Sequence, residues 1–302
     1  MKLFKQDADL TTLLITGASG FIGQNLVEQL RCDYDVTAPL HSELDLGDTD
    51  AVRQLFESRR FDVVLHCATV RSNRMAGEAA NLFAINCRMF FNLVRHRSQF
   101  GRMLNFGSGA EYDMCHYRPR MREEYFDIHT PIDGYGFSKY VCAKYCEQVP
   151  NVTSLRLFGV FGKYEAWQVR FISNACCRVI YGLPITIRRD MLLDYLYVDD
   201  LTTLVRWFIE HPAKHRAYNV CTGTPVLLSD LARIVAEVSS RNPAIEVLAP
   251  GMGTEYSGDN SRILAEMGGF RFRNLTQSIS ELYRWYETHQ LEIDPALLRF
   301  DG

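Results

Sequence analysis

The sequence holds no apolar run approaching the roughly 18 consecutive residues that a membrane-spanning helix needs. Charge of one sign is also lacking. Lys plus Arg number 33 against 36 Asp plus Glu, a net charge of −3, so nothing global draws the chain toward nucleic acid or an anionic membrane. Paired cysteines are missing: Cys32, Cys67, Cys87, Cys115, Cys142, Cys146, Cys176, Cys177 and Cys221 are odd in number and lack the spacing of a zinc site. They are expected to be reduced thiols, most of them packed as small hydrophobes, with no metal bound. Repeats, low-complexity tracts and linkers are absent, and Met1 to Asp7 is too polar for a signal peptide. The expectation is a cytoplasmic chain in which the Asn151-Val152-Thr153 sequon is irrelevant.

What is present is enough to fold. The 302 residues are 47% apolar and 23% charged, sufficient for a substantial core in one large domain or two intimate ones. Short β-branched or apolar runs at 12–16, 35–38, 62–66, 103–106 and 153–157 alternate with helical patterns at 23–30, 49–59, 79–98 and 135–148. That alternation predicts βαβ units in a doubly wound parallel sheet. Beyond Gly162 the pattern loosens into a helix at 169–181, a strand at 184–188, a helix ending near 210, a strand at 217–220 and helices at 229–239 and 275–289. The division expected is a dinucleotide-binding Rossmann domain over 1–165 and a smaller mixed α/β substrate domain over 166–302. Segments 193–210 and 217–220 are candidates to pack back onto the first sheet.

Thr16-Gly17-Ala18-Ser19-Gly20-Phe21-Ile22-Gly23 sets three glycines at spacing three and three, directly between a strand and a helix. Gly17 permits a tight turn, Gly20 lets backbone approach a pyrophosphate, and Gly23 allows close helix-to-strand packing. The helix N-terminus adds free N–H groups and a positive dipole end. Gly17, Ser19, Gly20, Phe21, Ile22 and Gly23 are therefore candidate cofactor contacts. An NAD site usually offers a carboxylate at the end of the second strand, but Ala38-Pro39-Leu40-His41-Ser42 has none. With His41 and Ser42 as donors, NADP(H) is favoured over NAD(H), which stays open, as does the reading of both residues as plain loop.

Tyr135-Gly136-Phe137-Ser138-Lys139 puts a phenol and an ammonium four residues apart, on one face if the stretch is helical. A tyrosine is a poor proton-transfer group at neutral pH unless a nearby cation stabilises its phenolate. Ser108 ends a predicted strand, which aims its hydroxyl at the carboxyl edge of the sheet where ligands bind. Together Ser108, Tyr135 and Lys139 can polarise a carbonyl.

These motifs resemble the extended short-chain dehydrogenase/reductase family that works on nucleotide sugars. The likeness runs from the glycine cradle through His66-Cys67-Ala68, Asn86, Ser108, Tyr135 and Lys139. It continues through Leu155-Arg156-Leu157-Phe158-Gly159-Val160-Phe161-Gly162 and Tyr197-Val198-Asp199-Asp200 to Trp285-Tyr286. It implies Tyr135 as general acid or base and Lys139 as the cation that holds the phenolate and the nicotinamide ribose. Ser108 would bond the substrate oxygen, while Asp45 and Leu46 would lie beside adenine and Cys67, Ala68 and Asn86 would also line the cofactor. A homodimer through helices 79–98 and 135–148 is implied too.

The resemblance also discriminates. Relatives that dehydrate the sugar carry an Asp-Glu pair after the hydroxyl residue, where this chain has Gly109 and Ala110. Glu111 comes one position later and would face the opposite way in an extended segment. Ala110 and the histidine-free stretch 169–177 argue against the double epimerisation of GDP-fucose synthases. The short passage from Ala38 to Asp45-Leu46 favours a 4-ketoreductase over a 4-epimerase with retained NAD; a dinucleotide sensor without catalysis is a third reading. Gly159 and Leu193 replace residues that often touch the nucleotide sugar. Ser108, Gly109, Ala110, Arg170, Arg188 and Arg189 are the candidate substrate contacts, the last two as replacement cations or as solvated arginines. Arg118, Arg120 and Arg122 form either a solvated basic loop or a diphosphate clamp.

Overall fold

The structure is a computed structural model and describes residues 10–70 and 81–299. The first half alternates as the sequence predicts: β1 (Thr12–Thr16), α1 (Phe21–Leu30), β2 (Asp35–Thr37), α2 (Thr49–Ser58), β3 (Phe61–His66), α3 (Leu82–Val94), β4 (Phe100–Ser108), α4 (Gly134–Gln148) and β5 (Val152–Leu157). Short strands β6 (Gly159–Phe161), β7 (Ile185–Asp190), β8 (Leu192–Leu193) and β9 (Tyr195–Tyr197) follow, with α5 (Phe171–Ile180) between β6 and β7. The chain closes with α6 (Val198–Glu210), β10 (Ala217–Val220), β11 (Val226–Leu227), α7 (Leu228–Ser239), β12 (Ile245–Met252), α8 (Ser261–Met267) and α9 (Leu275–Thr288). Residues 79 and 80 of the expected helix 79–98 lie outside the described residues, and α3 ends four residues early, before a 3-10 turn at Arg97–Gln99.

The main sheet has six strands where five are predicted from the first half, in the order β10-β5-β4-β3-β1-β2, every pair parallel. The sixth, β10, is the 217–220 segment, and α6 packs on the same sheet. Strand order reverses between β1 and β3, and ligands bind at such a switch point outside the carboxyl ends of the strands.

Alternation along the strands fills both faces. Leu13, Ile15, Val63, Leu65 and Leu104 meet Leu26 and Leu30 of α1 and Leu201, Leu204 and Phe208 of α6. Their neighbours Leu14, Val64, Met103 and Val152 meet Val52, Phe56, Phe90, Leu93, Cys142 and Cys146 from α2, α3 and α4. Strands buried on both faces explain why these runs read as continuously apolar. A separate core joins α5, α7 and α9 to Ile185 and Ile187 of β7. All nine cysteines are free thiols, five of them buried.

His66, at the end of β3, shares a hydrogen bond of 2.8 Å with the Thr16 hydroxyl across the β1–β3 ladder. Burial, reinforced by the Lys139 charge, pushes its pKa down to about 3. An unfolded chain's histidine protonates near pH 6.5, so between 6.5 and 3 the unfolded state binds more protons. Stability therefore falls as pH drops through that window, by on the order of 1 kcal/mol per pH unit. Denaturant midpoints measured from pH 7 to 4.5 should fall less steeply in His66→Gln than in the wild type; parallel slopes would show that His66 is not the group responsible.

Candidate active site

The glycine segment turns as the spacing predicts. Gly17 has φ +73°, and a β-carbon there would stand 2.6 Å from the amide nitrogen of Ala68, so the turn after β1 lies directly against the chain leaving β3. A β-carbon on Gly23 would stand 2.1 Å from Gly17 O. Only at that approach can α1 begin immediately behind the loop. Gly20 caps α1 without any side-chain bond, and no acidic residue occupies the first turn. Its N–H groups and dipole thus face the loop ready for an anion. Gly17, Ser19, His41, Leu46 and Ala68 line one cleft together with Pro39 and Met89. A dinucleotide's diphosphate fits this donor set.

The remaining cofactor candidates divide. His41 and Ser42 stand exposed on the loop after β2, although His41 alone of the two lines the cleft. Leu46 is buried beside it, whereas the Asp45 carboxylate turns to accept the Gly47 N–H at 2.7 Å. Asn86 accepts the Val70 N–H at 2.8 Å and donates to Val70 O at 2.9 Å and to Ser138 Oγ at 3.3 Å. It thereby ties the segment after β3 to α4. Cys67 continues the β1–β3 ladder with its N–H on Thr16 O, its thiol raised by burial far above the ordinary range.

Lys139 and Tyr135 share α4, whose N-cap Asp133 accepts the Gly136 N–H at 2.7 Å. The Lys139 ammonium donates to Phe106 O at 2.8 Å and lies 5.9 Å from the centre of the Tyr135 ring. Phe106 belongs to the strand that ends in Ser108, so one cation is bound to the Ser108 strand while facing the tyrosine. Gly136 makes this convergence sterically possible, because a β-carbon there would stand 2.7 Å from Ala110 O. The sequence motif contains Gly136, but its role depends on a contact with a turn 26 positions away and is invisible in the motif alone.

Residues after Ser108 do not continue in extended form. Gly109–Glu111 is a 3-10 turn, in which Ser108 Oγ accepts the Ala110 N–H at 3.1 Å and Glu111 accepts the Ser108 N–H at 3.2 Å. That turn swings Glu111 back beneath Ser108 instead of merely to the opposite face, fully buried against Arg156 with Nε to Oε2 at 2.5 Å. Arg156 reaches the Tyr112 hydroxyl at 3.4 Å, and Tyr112 donates to Asn219 Oδ1 of β10 at 2.8 Å. Tyr112, Tyr117, Phe126 and Phe158 then form an apolar seal with Tyr256. Neither Glu111 nor Asn219 carries a sequence signal, because both partnerships join distant segments.

Of the substrate candidates, Gly109 and Ala110 follow Ser108 on this turn, and a β-carbon at 109 would stand 2.5 Å from the Tyr256 hydroxyl. Arg170 caps α5 and is exposed, as are Arg188 and Arg189 on β7. Gly159 has a packing reason: a β-carbon would stand 2.5 Å from Asp194 O, so β9 lies where an asparagine side chain would begin. Arg118 lies against Tyr125, 3.2 Å from its hydroxyl, and Arg122 pairs with Glu124 at 3.4 Å. Arg120 is exposed, with φ +53°.

A doubly wound sheet with an anion-ready glycine turn at its switch point and Ser108, Lys139 and Tyr135 beside it defines an extended short-chain dehydrogenase/reductase. The chain belongs to the NAD dependent epimerase/dehydratase family, whose sequence profile matches residues 13–221. It is 30% identical over 168 residues to a GDP-L-fucose synthase of Azorhizobium caulinodans, a match covering 51% of this chain and 54% of that protein. Its fold is that of GDP-mannoheptose C4 reductase from Campylobacter jejuni, solved with NADP bound (TM-score 0.79, 20% identity, 92% of this chain and 98% of that one). UDP-glucose 4-epimerase from Thermotoga maritima has the same fold (TM-score 0.80, 19% identity, 93% and 100%).

Gly136→Ala should lower stability by about 1–3 kcal/mol, as overpacking does, whereas Gly134→Ala, with nothing within 4 Å of its added carbon, should stay within about 0.5 kcal/mol. Chemical denaturation of the two variants compares them; equal midpoints would show that the α4 start can shift away from Ala110.

Proposed function

We propose that this chain is a reductase of a nucleotide-linked 4-keto-6-deoxy sugar, using NADP(H) in preference to NAD(H). The observation that carries the reading is the makeup of the turn beside Ser108. Gly109 and Ala110 offer no acid or base, and Glu111 is committed to Arg156. That leaves the Tyr135 phenol, beside the Lys139 charge, for proton transfer, which is what a simple carbonyl reduction requires. The GDP-L-fucose synthase and the GDP-mannoheptose C4 reductase among the relatives support GDP sugars as the first substrates to try.

NADPH held in this cleft would supply the hydride for the sugar C4. Ser108 Oγ accepts the Ala110 N–H, which leaves its own hydrogen to donate to the keto oxygen. Tyr135 gives its proton to that oxygen as it becomes an alkoxide, and the Lys139 charge stabilises the phenolate left behind. Arg170, Arg188 and Arg189 are proposed to meet the substrate diphosphate. The preference for NADP(H) rests on the end of β2, where residues 38–42 carry no carboxylate, and the nearest acids on either side are engaged. Asp35 pairs with Arg59, which also reaches Thr37 Oγ1 at 2.9 Å, and Glu43 accepts the Leu40 N–H. His41 and Ser42 are the proposed contacts of the 2′-phosphate, with Asp45, Leu46, Cys67, Ala68 and Asn86 around the rest of the cofactor.

Residues 1–165, joined by α6 and β10, are proposed as the cofactor domain, and the remainder of 166–302 as the substrate domain. The chain is further proposed to act in the cytoplasm as a homodimer. Phe83 of α3 and Phe137 of α4 stack at 5.0 Å yet stay over a third exposed, the kind of aromatic surface a second copy covers. The fold shared with UDP-glucose 4-epimerase supports a second reading, epimerisation with retained NAD.

Mixing the protein with NADPH and a panel of nucleotide 4-keto sugars should consume NADPH absorbance. No turnover across the panel, or NAD co-purifying with sugar inversion and no net cofactor use, would overturn the reductase reading. Tyr135→Phe should lower kcat by at least roughly 100-fold while NADPH affinity is kept; full activity in that variant would remove Tyr135 from the chemistry.

A further inference from the structure

We infer that Glu111, held by Arg156, is the positioning residue that sets the Ser108 hydroxyl for its substrate oxygen, an inference that rests on Ser108 being the carbonyl-polarising group. The carboxylate is wholly enclosed, and each oxygen is assigned. Oε1 accepts the Ser108 N–H at 3.2 Å and the Ser154 hydroxyl at 3.3 Å, and Oε2 accepts Arg156 Nε at 2.5 Å. Arg156, only 1% exposed, lies with its guanidinium 4.0 Å from the centre of the Phe126 ring.

Stability alone does not account for such a pair. Desolvating two charges is expensive, and well-packed apolar residues commonly match or exceed a buried ion pair in stability. The arginine is also imperfectly served, since its Nη2 has no hydrogen-bond partner among the described residues. What an apolar pair cannot do is accept the Ser108 N–H. That bond is half of the reciprocal cap that closes Gly109–Glu111 into a 3-10 turn; the other half is Ala110 N–H to Ser108 Oγ at 3.1 Å. With Oγ already an acceptor, its hydrogen remains as the donor to a ligand. Arg156 sits on β5, and Ser108 is registered with Leu157 of the same strand, so the anchor of the turn is referenced to the sheet itself.

The test compares wild type, Glu111→Gln, which keeps an acceptor for the Ser108 N–H, and the double variant Glu111→Leu/Arg156→Met, which keeps apolar volume and loses the acceptor. The double variant should fold with a melting temperature at or above wild type. Its kcat should fall roughly 100-fold, the effect of a misplacement near 1 Å, with KM for the nucleotide sugar and NADPH affinity unchanged. Glu111→Gln should recover part of that loss. A crystal structure of the double variant should show the Ser108 Oγ to Ala110 N bond broken. Wild-type kcat in the double variant, or an unchanged Ser108 turn in its crystal structure, overturns the inference. If wild type turns over no nucleotide sugar, the reductase reading fails separately, and the crystal structure of the double variant still decides whether Glu111 positions Ser108.

Discussion

Backbone approaches too close for a β-carbon hold the site together. The turn after β1 presses on Ala68 at Gly17, α1 presses on that turn at Gly23, and α4 presses on the Ser108 turn at Gly136. In each case the missing atom is what allows two segments to touch. The first two bring the N-terminus of α1 to the carboxyl edge of the sheet, where its free N–H groups can meet phosphate. The third brings Tyr135 and Lys139 to the strand that carries Ser108. The glycine turn and the Tyr135–Lys139 pair are thus placed by one steric rule applied to different pairs of elements.

Polar groups beneath that framework are fixed by bonds to strands. Lys139 is tied to Phe106 O of β4, Glu111 to Arg156 of β5, and Tyr112 to Asn219 of β10. Three neighbouring strands of the sheet therefore hold α4 and the turn that follows Ser108. A site built on strands is stiffer than one carried on loops. The loop from 109 to 126 has no long regular element of its own, yet its aromatic residues Tyr112, Tyr117 and Phe126 are buried against Phe158 and Tyr256.

Much of this was legible in the sequence. The βαβ alternation predicted the order of elements through β5, because strands buried on both faces leave an apolar signature that needs no partner to be read. The glycine cradle and the Tyr135–Lys139 spacing were equally local. Strand β4 runs from Phe100 and not from Met103, since Gly101 and Arg102 look like loop until the sheet pairs them. Helix α8 and strand β12 went unread: the first is short, and β12 carries a glycine and a proline and pairs only with β7.

What the sequence by itself determined was the type of sheet, the glycine turn and the candidate set of Ser108, Tyr135 and Lys139, because each depends on residues within one or two elements. What only the tertiary structure decided was where those side chains end up relative to one another. The sixth strand, the closure of Gly159 against Asp194, the role of Gly136 and the burial of Glu111 on Arg156 all join positions separated by tens of residues. Local pattern encodes which face of an element is apolar; it does not encode which distant backbone that face will meet. Glu111 shows the difference, since its fate turned on whether the chain after Ser108 stayed extended or closed into a turn. In the closed turn its carboxylate meets an arginine 45 residues further along the chain.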